Sequence, residues 1–479
     1  MPGIHKLFIG GAWVDGARLA DNVNPSNVQD IVGEYAQGDA EHAHRAVEAA
    51  AQASPSWKAS TPQNRFDVLD YVGSEILARK EELGRLLARE EGKTLAEAIG
   101  EVARAGSIFK FFAGEALRTG GERIASVRPG VEVETSREPL GVVALITPWN
   151  FPIAIPAWKT APALAFGNTV VFKPAELVPG SAWALAEILS RSGLPPGAFN
   201  LVMGKGSVLG AALVQHPRVA GVSFTGSQGV GAEVATGCVA RQARVQLEMG
   251  GKNPLVVLDD ADLGVAVNAA VNGAFFSTGQ RCTASSRLIV TEGIHDRFVS
   301  ALLHRLEGLK IDDALAPNTD IGPVVDEAQL AKDLGYIDLA RSEGGKLVHG
   351  GIRLRREKEG FYLSPALFTE TENGMRINRE EVFGPVAAVV RARGYDDALA
   401  AANDTAFGLC AGICTTSLKH ASHFRQHAQA GMVMVNLPTA GVDYHVPFGG
   451  VKGSSYGTRE QGRYAVEFYT TVKTSYIAP

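Results

Sequence analysis

Cysteine is scarce: the chain has four in 479 residues, Cys238, Cys282, Cys410 and Cys414. Four thiols cannot staple a chain of this length, which excludes a disulfide scaffold and points to a reducing, cytoplasmic setting. Long hydrophobic runs are also missing. The longest, at 141–146 and 161–172, are short or broken by Pro, Gly, Asn and Thr, and none approaches the ~20 residues of a spanning helix. No basic segment followed by an apolar stretch opens the sequence, so no secretion signal is expected. Positive charge is not in excess: Lys+Arg 46 against Asp+Glu 51 leaves −5, which argues against a nucleic-acid binder. The 11 histidines form neither an HExxH nor a Cys/His ligand pattern, so no metal site is expected. Walker A, Gly-x-Ser-x-Gly and early GxGxxG motifs are absent too. Glycine, by contrast, is plentiful, with 54 residues. The length suggests roughly three domains, each able to bury a core.

Residues 6–14 read as a hairpin around Gly10-Gly11. Apolar residues then recur at helical spacing from Asp39 to about Ala53, from Pro62 to Ala88 and from Thr94 to Gly120. Asp39 fits an N-cap, and Thr61-Pro62 opens a helix with proline in its first turn. The spacing predicts three helices. From residue 131 the pattern changes to strands, with an alternating stretch at 131–136 and apolar runs at 141–146, 169–172, 200–203, 221–224 and 245–247. Helices are predicted at 182–192 and 207–216. A second series places strands at 253–258, 287–291, 387–390, 408–416 and 431–436, with helices at 263–276 and 294–307. Such alternation implies α/β architecture with parallel sheets.

Several positions have the residue types that chemistry needs. Cys282 sits in Gly279-Gln280-Arg281-Cys282-Thr283, a polar, glycine-bearing approach. Arg281 beside it, and a helix N-terminus at 283–285, would favour the thiolate. A small core residue is the other reading of a free cysteine. Glu248 ends an apolar strand just before Gly250-Gly251, where open α/β sheets place ligands. A solvated strand-end carboxylate is its alternative. Asn150 lies in Thr147-Pro148-Trp149-Asn150-Phe151-Pro152, a turn clamped by two prolines; a rigid amide there suits an oxyanion donor, or ordinary turn chemistry. Phe224-Thr225-Gly226-Ser227 runs from strand to helix and could hold a pyrophosphate. Lys173 and Glu176, after another strand, could grip a ribose. Cys410 and Cys414 read as strand core.

Together these motifs resemble the aldehyde dehydrogenase superfamily. The resemblance covers nearly the whole chain, in order: 148–152, 173–176, 224–227, 247–252, 279–282, Glu381-Val382-Phe383-Gly384-Pro385 and Pro447-Phe448-Gly449-Gly450-Val451-Lys452. It implies two Rossmann-like parallel-sheet domains and a β oligomerisation flap. The dinucleotide-binding domain would take 1–121 and 143–250, the catalytic domain 251–440, and the flap 122–142 with 465–479. The β-branched and aromatic run from Phe468 to Ile477 supports a final strand. Homodimers or homotetramers built through the flap are implied.

The resemblance also implies roles. Cys282 attacks the aldehyde, Asn150 and the Cys282 N–H hold the oxyanion, hydride leaves for a nicotinamide, and Glu248 activates water to hydrolyse the thioester. Lys159 would support a proton relay and Glu460 would assist Glu248. NAD or NADP would lie against Thr147, Trp149, Lys173, Glu176, Gly226, Ser227, Glu381 and Phe383, with no metal. Glu176 leans toward NAD by repelling a 2′-phosphate. A base at 248 favours hydrolysis over acylation of coenzyme A.

For the substrate, 279–287 and 438–450 resemble the branch that oxidises α-ketoglutaric semialdehyde (2,5-dioxopentanoate). The expected substrate contacts are Phe151, Trp158, Arg281, Ser285, Tyr444, His445 and Phe448. Succinic semialdehyde or another small acidic aldehyde is the alternative within the same chemistry. A catalytically inactive dinucleotide-binding or structural protein is the alternative outside it. No membrane or nucleic-acid partner is expected.

Overall fold

The computed structural model describes residues 3–478. Two sheets of mainly parallel strands organise it. The first has eight strands in the order Ser455–Tyr456, Arg244–Glu248, Val219–Thr225, Val142–Ile146, Thr169–Lys173, Phe199–Leu201, Leu7–Ile9, Ala12–Val14. Its five central strands are parallel, and antiparallel pairs close both edges. Val142–Ile146 and Thr169–Lys173 are buried on both faces, as their uninterrupted apolar sequences require.

The second sheet has seven strands, ordered Lys346–His349, Ala366–Thr371, Val386–Ala392, Ser285–Thr291, Asn253–Val257, Cys410–Cys414, Met432–Val435. All its pairs are parallel except that between Lys346–His349 and Ala366–Thr371. Helices Leu263–Phe275 and Glu292–Glu307 pack on one face, and Tyr395–Asn403 and Leu418–His427 on the other. A three-stranded antiparallel sheet, Thr470–Ile477, Glu132–Pro139 and Arg123–Ala125, stands apart from both. Among the described residues no helix is long and apolar enough to cross a membrane.

Four differences from the sequence reading have local causes. The N-terminal layer holds four helices, because the stretch from Pro62 breaks at Arg79 into Pro62–Ala78 and Lys80–Glu91. A hairpin, Arg18–Asn24 with Asn27–Gln37, was not expected; its strands are mostly polar and half exposed, so they lack an apolar signature. Residues 283–285 do not start a helix: a turn at Cys282 and Thr283 leads into the strand Ser285–Thr291. Phe468 and Tyr469 belong to a short helix and are buried, so the last strand begins at Thr470. Ser455–Tyr456 pairs antiparallel with Arg244–Glu248 at the edge of the first sheet.

Candidate active site

The carboxyl ends of the first sheet's parallel strands carry Thr147, Lys173, Thr225 and Glu248 side by side. Open α/β sheets bind ligands along such an edge. Facing it from the second sheet is the loop 276–284 that bears Cys282.

That loop holds an uncommon backbone. Ser277, Thr278 and Gly279 all have positive φ, at 50°, 57° and 65°. Two consecutive non-glycine residues in the left-handed region carry strain, which tight tethers must offset. Glu97, on the helix Leu95–Ala116, supplies one: its Oε1 accepts from Ser277 N at 2.8 Å, Ser277 Oγ at 2.9 Å and Arg281 Nη2 at 3.0 Å. Thr278 Oγ1 donates to the Gly322 and Pro323 carbonyls. A Cβ at Gly279 would lie 2.1 Å from the Gly384 carbonyl oxygen, so no side chain fits.

Cys282 opens onto a cavity of about 370 Å³ also lined by Phe151, Trp158, Arg281, Phe448 and residues of the helix Leu95–Ala116. Its thiol is pushed up to about 12 by burial first and then by the Glu381 and Glu248 carboxylates. The backbone N–H groups of Cys282 and Thr283 face the sulfur and pull the other way. Arg281 does not activate it, contrary to expectation, because its guanidinium is committed to Glu97 and Ser277. Asn150 is buried and donates through Nδ2 to the Gln280 carbonyl at 2.9 Å, two residues before the thiol.

Glu248 is buried at the end of its strand. One carboxylate oxygen accepts from Ser455 Oγ at 2.5 Å, while the other has no hydrogen-bond partner. Burial and the neighbouring Glu460 carboxylate raise its pKa well above the usual carboxylate range. Glu460 in turn accepts from Trp158 Nε1 at 2.6 Å and from the fully buried Lys159 ammonium, which also donates to Ser223 Oγ at 2.7 Å. A continuous hydrogen-bonded chain thus runs beside Glu248, from Trp158 through Glu460 to Lys159 and Ser223.

The edge of the first sheet suits a dinucleotide. Lys173 is buried, and burial lowers its ammonium pKa to about 8 against the opposing pull of Glu176. Glu176 is exposed and accepts from Gly206 N at 2.8 Å. Ser227 begins the helix Gln228–Ala240 with its hydroxyl making no cap bond, which leaves that helix N-terminus open to an anion. The hydroxyls of Thr147 and Thr225 are buried without partners. Trp149 and Phe383 meet edge to face at 5.3 Å. Glu381 accepts from Gly251 N at 2.9 Å, and burial raises its carboxyl. A Cβ at Gly250 would lie 2.1 Å from that carboxylate, so the glycine pair is a matter of clearance. Gly226 sits at the turn before Ser227.

Three expected substrate contacts lie off the cavity. Ser285 is fully buried and exchanges a 2.5 Å hydrogen bond with Thr439 Oγ1. Tyr444 and His445 are exposed; Tyr444 rests edge-on against Phe111 and against His445. The sequence reading missed Lys93, Glu101 and Arg104, which are on the cavity wall. Lys93 is buried, pairs with Glu101 at 2.6 Å, donates to the Asn150 carbonyl at 2.7 Å and lies 4.0 Å from the Phe151 ring centroid. Glu101 also accepts from Ile153 N and Ala154 N, both at 3.1 Å, at the start of the helix Ala154–Ala165. The available signal was the spacing Glu97, Glu101, Arg104, which puts three charges on one helical face.

The sequence pattern of the aldehyde dehydrogenase family matches residues 13–475. The chain is 44% identical over 477 residues to the α-ketoglutaric semialdehyde dehydrogenase of Bacillus subtilis, covering 98% of each. It is also 44% identical over 433 residues to a betaine aldehyde dehydrogenase of Cereibacter sphaeroides, covering 90% of this chain and 88% of the relative. Among solved structures, betaine aldehyde dehydrogenase from Staphylococcus aureus in complex with NAD+ superposes with a TM-score of 0.97. That structure is 35% identical, and the match covers 99% of this chain and 94% of the other.

Proposed function

The chain belongs to the aldehyde dehydrogenase family, and on that premise we propose that it oxidises α-ketoglutaric semialdehyde to 2-oxoglutarate, with NAD(P) as acceptor. The observation that carries the reading is that Cys282 opens on the cavity with the Glu248 carboxylate acting on its thiol, one oxygen of Glu248 unsatisfied, and Asn150 bonded two residues before it.

Cys282 releases its thiol proton to water at the cavity, and its Sγ attacks the aldehyde carbon to form a thiohemiacetal. The backbone N–H groups at 282 and 283 and the Asn150 amide are the donors available to the oxyanion; Asn150 Nδ2 gives one hydrogen to the Gln280 carbonyl and has a second to offer. A bound nicotinamide would supply the hydride acceptor for oxidation of that carbon to the thioester level. Thr147, Lys173, Glu176, Thr225 and Ser227 would hold the rest of the dinucleotide, and the exposed Glu176 carboxylate favours NAD. Glu248, with one free oxygen, takes a proton from water as the water attacks the thioester, and the free acid leaves. Lys159 and Glu460 hold the neighbouring proton-bearing chain. No step calls for a metal.

Identity alone does not separate an anionic from a cationic substrate, since two relatives of different printed substrate stand at 44%. The charge of the cavity supports the anion: Lys93, Arg104 and Arg281 line it against Glu97 and Glu101. Assembly as a homodimer or homotetramer through the three-stranded sheet, and a cytoplasmic location, belong to the same reading. Its test is steady-state kinetics with 2,5-dioxopentanoate, succinic semialdehyde and betaine aldehyde, each with NAD and NADP, for wild type and Cys282→Ala. The expected result is highest kcat/KM for 2,5-dioxopentanoate and loss of turnover in the variant. Oxidation undiminished in Cys282→Ala, or a preference for betaine aldehyde, overturns it.

A further inference from the structure

The cavity that opens on Cys282 is lined by three cations, and two of them are neutralised within its own wall. Lys93 pairs with Glu101 at 2.6 Å and lies 3.9 Å from Glu91. Arg281 pairs with Glu97 at 3.0 Å. Arg104 differs: among the described residues it has no carboxylate within ion-pair distance. Its guanidinium donates only to uncharged acceptors, the Val442 carbonyl and Gln461 Oε1, the latter at 3.0 Å. Its Nε is buried and has no hydrogen-bond partner at all. Burial lowers its pKa and outweighs the opposing pull of Glu101, Asp443 and Cys282. The guanidinium also lies 5.8 Å from the Trp158 ring centroid, above a side chain whose indole N–H is tied to Glu460.

A half-buried guanidinium whose Nε–H is buried and unsatisfied is expensive to keep unless something else uses the charge. Its planar fork matches a carboxylate, and the bond is charge-assisted. We infer that Arg104 is the substrate-carboxylate anchor: it takes the carboxylate of a short ω-oxo acid inside the cavity while the aldehyde end reaches Cys282. This rests on the acidic-aldehyde reading above and deepens it by naming the residue that selects for charge. The same guanidinium excludes a substrate bearing a quaternary ammonium, because that cation would meet an unpaired positive charge in a desolvated pocket.

The test compares three aldehydes of different charge, 2,5-dioxopentanoate (anion), pentanal (neutral) and betaine aldehyde (cation), on wild type, Arg104→Met and Arg104→Lys. In Arg104→Met the kcat/KM ratio of 2,5-dioxopentanoate to pentanal should fall about 30- to 100-fold, chiefly through KM. Arg104→Lys should recover part of that ratio. The activity of Arg104→Met with betaine aldehyde should rise above the wild-type level, a gain that damage to the cavity cannot produce. Equal losses on all three substrates would assign Arg104 to holding the 441–445 loop and overturn the inference. An unchanged ratio in a wild-type background that prefers the anion would place the anchor elsewhere, leaving the acidic-substrate reading intact. A wild type without preference for the anion would overturn that reading and the inference with it.

Discussion

At the scale of single residues the site is governed by burial. Glu248 stands well above the ordinary carboxylate range because it is desolvated beside Glu460. As a base it becomes available only as pH rises through a pKa above the ordinary carboxylate range, so hydrolysis of the acyl-enzyme should quicken with rising pH. Replacing it, as Glu248→Gln, should leave a rapid first turnover and slow the steady state by about 100-fold or more. Stopped-flow absorbance of the reduced nicotinamide would show a burst near one equivalent, and a linear trace without a burst would remove Glu248 from the hydrolytic step. Lys173 offers a second titration. With a pKa lowered to about 8, its ammonium is present below that pH and lost above it. Any help it gives to a 2′-phosphate should therefore fade, and KM for NADP should rise relative to KM for NAD between pH 7 and pH 9. A flat ratio would mean that Lys173 does not meet that phosphate.

The same scale explains what could be read from the sequence. Phe151, Trp158 and Phe448 sit on the cavity wall; the motifs of Phe151 and Phe448 contain prolines and glycines that fix turns, and Trp158 lies in the helix that follows the first of them. Arg104 and Glu101 escaped because charged residues on a helix ordinarily face water, and Lys93 because it lies in the short loop before that helix. Only the tertiary fold reveals that the helix turns Glu97, Glu101 and Arg104 inward. Ser285 misled for the opposite reason. Its sequence distance from Cys282 is short, but strand geometry sends its side chain to Thr439.

At the scale of elements, two tethers set the geometry around the thiol. Glu101 joins the helix Leu95–Ala116 to the N-terminus of Ala154–Ala165 and neutralises Lys93, which holds the Asn150 carbonyl. Glu101→Gln leaves a buried ammonium short of its main counter-charge and should cost about 3 kcal/mol of stability. Urea unfolding followed by tryptophan fluorescence measures it, and a loss under about 1 kcal/mol, as for an exposed pair, would show that Glu91 suffices. The helix boundaries were legible where caps are present, at Asp39, Thr61 and Thr94. The break at Arg79 has no side-chain cap, proline or glycine to announce it. The left-handed triplet at 277–279 was likewise invisible, since Ser277 and Thr278 adopt it only under the restraint that Glu97 and two carbonyls impose.

At the scale of the whole molecule the parallel sheets follow from the apolar runs, whereas the three-stranded sheet stands apart from both. Thr470–Ile477 lies at its edge with Val472, Tyr476 and Ile477 exposed, and such an edge invites pairing with another copy. The double variant Val472→Asp and Tyr476→Asp should lower the assembly state seen by sedimentation velocity, with secondary structure retained in circular dichroism. An unchanged sedimentation coefficient would locate the interface elsewhere.

The short strand Ser455–Tyr456 closes the first sheet against Arg244–Glu248 and brings Ser455 onto Glu248. These partners are 207 residues apart in the chain. At about 5–20 residues per second of synthesis, the interval between their appearances is about 10–40 s. For that time Glu248 lacks the hydroxyl that steadies it, and its strand keeps a bare flank. Glu460 follows later still, so the proton-bearing chain is among the last parts to be assembled. Birth order thus leaves Cys282 and an open sheet edge in the chain before the surroundings of Glu248 are complete.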